Sequence, residues 1–196
     1  MNKYALGLLS VTGVLLSPIA SAHVGGVHTH LGFSEGFIHP FSGLDHLTML
    51  VAVGVLARQQ IRAKAALMMA STLALMVTGL VLGSLFQFAH VELLVALSLF
   101  VAAISIGAPT RLAISNTAAT PNVARQSVFN AASVGLVLFH GWAHGAEMSG
   151  SLLGFGSGMA LASLTLMICG YRVAGFVPSC WLAKLTAACG LLVAFA

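Results

Sequence analysis

Two short stretches concentrate side chains that can hold a metal ion or move a proton: "HPFSGLDH", residues 39 to 46, and "FHGWAHGAEM", residues 139 to 148. In the second, His140 and His144 are four residues apart and Glu147 is three further on. On a helix all three project from one face, one turn above another. In the first, His39 and His46 are seven apart and share a face if the segment is helical, with Asp45 turned about 100° from His46. Pro40 is compatible with a helix start, which makes His39 a candidate entry residue. Imidazoles and carboxylates at this spacing form a ligand set suited to Ni²⁺, Co²⁺, Zn²⁺ or Fe²⁺. Thiolates are not expected to contribute.

The surroundings of these residues are oily. Of 196 residues, 59% are hydrophobic and only 6% charged, with a mean hydropathy of +1.02. A soluble domain carries about a quarter charged residues, so the composition predicts an all-α integral membrane protein. The formal net charge is +4, but the eight Lys and Arg residues are scattered, and no nucleic-acid partner is expected.

Residues 1–22 have Lys3 in a short positive start, an apolar core, Pro18 and the small triplet Ala20-Ser21-Ala22, the pattern of a cleavable signal peptide. An uncleaved first transmembrane helix is the competing reading. The remaining domain, 23–196, divides into six apolar stretches, roughly Phe37–Ala57, Ala65–Phe86, Ala89–Gly107, Val128–Met148, Ser151–Tyr171 and Ala174–Ala196. A six-helix transmembrane bundle is therefore expected.

A leader that carries the mature N-terminus outward makes the first, third and fifth connections cytoplasmic. Those contain Arg58, Arg62 and Lys64, then Arg111 and Arg125, then Arg172, whereas the outward connections around Gln87 and Ser149 have no Lys or Arg. The positive-inside rule thus agrees with the leader. It places both mature termini on the periplasmic side of a bacterial inner membrane. Lys184, inside the last stretch, is the misfit: it snorkels, faces the bundle, or marks a broken or displaced span.

With this topology the outer halves of the first and fourth spans bring His39, Asp45 and His46 to the same depth as His140, His144 and Glu147. His90 and Glu92 open the third span on that side. A lone buried histidine is most often a satisfied hydrogen-bonder. Six ionisable side chains in hydrocarbon, at roughly 3 kcal/mol or more each, point instead to a metal or proton site.

The two stretches, with the leader and six spans, resemble the HupE/UreJ family of nickel and cobalt permeases along essentially the whole chain. The resemblance implies uptake of Ni²⁺, in some members Co²⁺, in support of hydrogenase or urease maturation. It also implies that His39, Asp45, His46, His140, His144 and Glu147 matter for transport. The metal is then a transported substrate, no catalytic cofactor is needed, and no enzymatic activity is expected.

Rival readings of the same residues are a zinc-dependent intramembrane hydrolase, with Glu147 or Asp45 as base, and a membrane metallochaperone. The expected mature N-terminus, "HVGGVHTH", offers His23, His28 and His30 as an accessory metal site or a plain exposed tail, and His90 and Glu92 are further accessory candidates.

Glycines at four-residue spacing, Gly79 with Gly83 and Gly150 with Gly154 and Gly158, are expected to be helix-packing faces. The scattered methionines are read as packing and Cys169, Cys180 and Cys189 as buried free thiols. Each half of the chain opens with a histidine-acid cluster, as a 3+3 inverted repeat would.

Overall fold

The computed structural model describes residues 32–108, 121–148 and 150–195. The expected signal peptide and His23, His28 and His30 lie outside the described residues. Within them the regular structure is seven helices: α1 (Gly32–Ser42), α2 (Leu44–Arg58), α3 (Arg62–Leu85), α4 (Val91–Gly107), α5 (Pro121–Glu147), α6 (Leu152–Val173) and α7 (Ser179–Ala194).

Two of them, α3 and α6, are long and apolar enough to cross a membrane; α1 and α2 pass the same test as one bent pair. The 24 residues of α3 reach about 36 Å, enough for a hydrocarbon core of about 30 Å. Helices α4 and α7 are apolar but shorter, at 17 and 16 residues. Each of the six apolar stretches overlaps one helix or the bent pair, with ends that differ by up to seven residues.

The first stretch departs from the expected single helix. α1 and α2 meet at 81°, so His39 and His46 do not share a continuous helical face. Pro40 lies inside α1 rather than at a helix start. Lacking an N–H, it cannot close the bond to the carbonyl four residues back, and α1 stops two residues later. Ser42 Oγ donates to the His39 carbonyl at 2.7 Å and satisfies one carbonyl that the break exposes.

Gly43 forms the corner in an extended conformation, and its carbonyl accepts from Leu47 N to begin α2. A Cβ at this position would fall 2.8 Å from Asp45 Oδ1 and 2.9 Å from His46 Nδ1. The glycine therefore leaves room for the two side chains that follow it.

α2 forms the centre of the bundle, packed against α3, α4, α6 and α7. The principal pairings join α1 and α2 to α6, α3 to α5, and α4 to α7, with α4 also against α5. Glycines allow the closest of these. A Cβ on Gly79 or Gly83 would lie 2.0 or 2.1 Å from the carbonyl oxygen of Leu138 or Trp142 on α5. Reciprocally, a Cβ on Gly141 or Gly145 would lie 2.1 Å from the carbonyl of Met76 or Leu80 on α3. Gly36 with Gly158, and Gly54 with Gly170, do the same for α6 against α1 and α2. The third expected packing glycine, Gly150, stands outside the helices with φ +99.

At the far end of α4, Gln126 Nε2 donates to the Ser105 carbonyl at 2.9 Å and to Asn130 Oδ1 at 3.1 Å, fastening α4 to α5. Near the opposite end, Trp142 Nε1 donates to the Phe86 carbonyl at 3.0 Å, which ties the α3–α4 connection to α5.

Two smaller expectations are corrected. α7 begins at Ser179, after Pro178, so the last stretch starts later than Ala174 and Lys184 falls in its second turn. Lys184 is exposed and sits 5.0 Å over the Trp181 ring, turned away from the bundle. The cysteines are free, but only Cys189 is buried; Cys169 and Cys180 are exposed. Met68, Met76, Met159 and Met167 are core residues, as packing requires.

The glycine contacts make a graded prediction for thermal unfolding in detergent. Gly141→Ala drives a methyl into the α3 backbone and lowers Tm, at a cost of about 1–3 kcal/mol. Gly135→Ala, on the same helix with nothing within 4 Å of a Cβ, is neutral or stabilises by up to about 1 kcal/mol. Equal effects of the two substitutions would contradict the close α3–α5 approach.

Candidate metal centre

The 81° corner is what assembles the site. It turns the end of α1 back over the start of α2, so that His39 approaches from one side and Asp45 and His46, in the first turn of α2, from another. α5 supplies His140 and His144 one turn apart. Along α5 the sequence His-Gly-Trp-Ala-His-Gly interleaves two four-residue repeats. His140 and His144 face the centre, while Gly141 and Gly145, about 100° further round, face α3. The close helix approach and the histidine face are thus two sides of one short stretch.

The imidazoles converge. Ring centroids are 3.9 Å apart for His46 and His144, 4.4 Å for His39 and His144, 5.0 Å for His46 and His140, and 6.2 Å for His39 and His46. One ligand atom from each of Asp45, His46 and His140 can be chosen so that all lie within 4.8 Å of one another. His140 and His144 are 1% exposed and His46 8%, while His39 is half-buried. Phe155 on α6 closes the wall, its ring 5.8 Å from that of His39 and 6.2 Å from that of His144.

Hydrogen bonding accounts for only part of this polar surface. Asp45 Oδ1 lies 2.9 Å from His46 Nδ1, and Ser98 Oγ on α4 lies 2.7 Å from His140 Nε2. His46 Nε2, His140 Nδ1 and both nitrogens of His144 are buried and have no hydrogen-bond partner among the described residues. Each such orphan costs about 1–3 kcal/mol, and buried polar atoms are otherwise satisfied as a rule. Four in one cluster, beside a carboxylate, are a donor set that could hold a divalent transition metal. Asp45 also offsets cationic charge and sits near the positive end of α2.

The structure does not bring every expected residue here. Glu147, the last residue of α5, is exposed; it lies near enough to His39 to act on it electrostatically but is not among the three residues whose ligand atoms lie within 4.8 Å of one another. His90 is an exposed, left-handed residue before α4, with φ 68, and Glu92 is exposed in the first turn. Three further contributors are Gly43, Phe155 and Ser98. Motif and spacing point to none of them, and the only local hint is a glycine two residues before Asp45-His46, where a tight corner favours it.

Comparison with known proteins identifies a family. Residues 9–196 match the family described as HupE / UreJ protein. The chain is 30% identical over 175 residues to Protein HupE of Rhizobium leguminosarum bv. viciae, covering 88% of this chain and 84% of that protein. No solved structure matches the chain. With the match spanning nearly its whole length, the chain belongs to the HupE/UreJ family.

Proposed function

We propose that this protein is a permease that takes up Ni²⁺, with Co²⁺ as a second substrate, across the bacterial inner membrane and so supplies hydrogenase or urease maturation. The observation that carries this reading is the group of four orphaned imidazole nitrogens beside Asp45, buried among apolar helices. Family membership supports it. Nitrogen donors favour a late first-row divalent ion over Mg²⁺ or Ca²⁺, which prefer all-oxygen sites.

In this reading the chain crosses the membrane six times, with α1 and α2 as one broken span and both mature termini periplasmic. A broken helix is tolerated at membrane depth where its freed backbone lines a site. The packing supports a 3+3 inverted repeat. Exchanging the halves turns the pairing of the first span with α6 into that of α5 with α3, and leaves α4 against α7 unchanged.

Periplasmic Ni²⁺ exchanges water for imidazole at the centre, with Asp45 offsetting its charge, and then leaves inward. An inside-negative potential contributes about 4.6 kcal/mol per 100 mV to a divalent cation, twice the single-charge value, which is sufficient for uptake without ATP. Imidazoles bind metal only when deprotonated, so acid opposes capture.

Two measurements test the proposal. In proteoliposomes with an inside-negative potential, wild type accumulates radioactive Ni²⁺, Co²⁺ competes and Mg²⁺ does not. His140→Ala and Asp45→Ala, shown to be folded, each lower uptake by roughly 10-fold or more. A folded wild type that moves no Ni²⁺ but retains one tightly held Zn²⁺ would set transport aside in favour of hydrolysis.

Replacing His23, His28 and His30 together raises the apparent KM for Ni²⁺ and leaves the maximal rate unchanged. Unchanged uptake at limiting metal would reduce that segment to a plain tail.

A further inference from the structure

Ser98 is the polar side chain that touches the centre from α4, in the otherwise apolar run Leu93 to Ala103, and it is fully buried. Its hydroxyl makes two short contacts: Oγ to the Val95 carbonyl oxygen at 2.6 Å and Oγ to His140 Nε2 at 2.7 Å. A hydroxyl has one proton and two lone pairs, whereas a carbonyl oxygen can only accept. At 2.6 Å the Val95 contact requires that proton, because two oxygens held so close without one repel. Toward His140 the hydroxyl is therefore left to accept, and Nε2 must carry the hydrogen. The lone pair of the neutral ring is then on Nδ1, the nitrogen that is buried without a partner, on a ring grouped with Asp45 and His46 by the closeness of their ligand atoms.

We infer that Ser98 is a positioning residue for the metal site: by accepting from His140 Nε2–H while donating to the Val95 carbonyl, it holds His140 as a ligand through Nδ1. This rests on the metal-uptake reading for its functional consequence and adds a residue that does not touch the ion. Asp45 does the corresponding work on His46. An ionised carboxylate only accepts, so the 2.9 Å contact places the hydrogen on Nδ1 and the lone pair on Nε2, again the orphaned nitrogen.

The two rings, 5.0 Å apart with their planes at 90°, thus leave opposite nitrogens, Nδ1 of His140 and Nε2 of His46, to act as ligands from two helices. Such outer hydrogen bonds fix tautomer and ring orientation at metal sites. Neither nitrogen of His144 has a partner among the described residues, so nothing there assigns its tautomer.

The test uses the purified full-length protein with ¹⁵N-labelled histidine rings. The signals of His140 are identified by their loss in His140→Gln. In metal-free wild type, His140 shows the nitrogen shifts of the Nε2–H tautomer. In Ser98→Ala, a change that removes only the hydroxyl, that signature is lost or mixed, and the Kd for Ni²⁺ by calorimetric titration rises about 10- to 100-fold. Ser98→Thr, which keeps the hydroxyl, retains the wild-type signature and a Kd within a few-fold.

A wild-type His140 with its hydrogen on Nδ1 would overturn the proposal. So would a Ser98→Ala protein with both signature and affinity unchanged. If Ser98→Thr does not fold, the wild-type and alanine spectra decide alone. A folded wild type that binds no Ni²⁺ would defeat the uptake reading, yet its nitrogen shifts would still decide what Ser98 does.

Discussion

Polar atoms in the middle of an apolar bundle must find partners inside the protein, since lipid offers none. In this chain the backbone meets that demand with helices, and the buried hydroxyls meet it by donating to carbonyls of their own helix, as Thr72, Ser163 and Thr186 do. The imidazoles at the corner of α1 and α2 do not meet it. Four of their nitrogens are buried without a hydrogen-bond partner among the described residues. Of the five buried side-chain polar atoms without a partner among the described residues, four are in this one cluster and the fifth is Gln59 Oε1, so the concentration is what favours a cation there under the proposed reading.

Everything else in the architecture follows from placing those rings. Pro40 and Gly43 break the first span so that three ligand-type residues from eight positions of chain can face one point. Gly141 and Gly145 draw α5 against α3 and thereby set the depth and rotation of His140 and His144. α6 closes the opposite side with Phe155 and its own glycine contacts to α1 and α2. Packing and ligation are not separate layers here. A methyl added on the glycine face shifts the histidines that share its helix turn.

Much of this was legible in the sequence because its signals are local. The six apolar stretches, the i to i+4 spacing of His140 and His144, and the adjacency of Asp45 and His46 are all read within a few residues. The corner at Gly43 is not local in this sense, although Pro40 stands close to it. A proline near a helix end is compatible with both a start and a stop, and only packing of α1 on α6 decides between them. Spacing puts Glu147 on the histidine face but does not record that α5 ends there and leaves it exposed. Ser98 lies more than forty residues from His140, and a single serine in an apolar run is indistinguishable from one that merely bonds its own backbone. Gly141 and Gly145 were hidden by the histidines beside them.

The central claim is that the buried imidazoles are ligands rather than a structural network. X-ray absorption at the nickel edge, on purified protein loaded with one equivalent of Ni²⁺ and washed free of excess, tests it most directly. The account predicts the outer-shell scattering of at least two bound imidazoles, reduced in His46→Ala and in His140→Ala. A spectrum of nickel surrounded by oxygen alone, unchanged by either substitution, would contradict it.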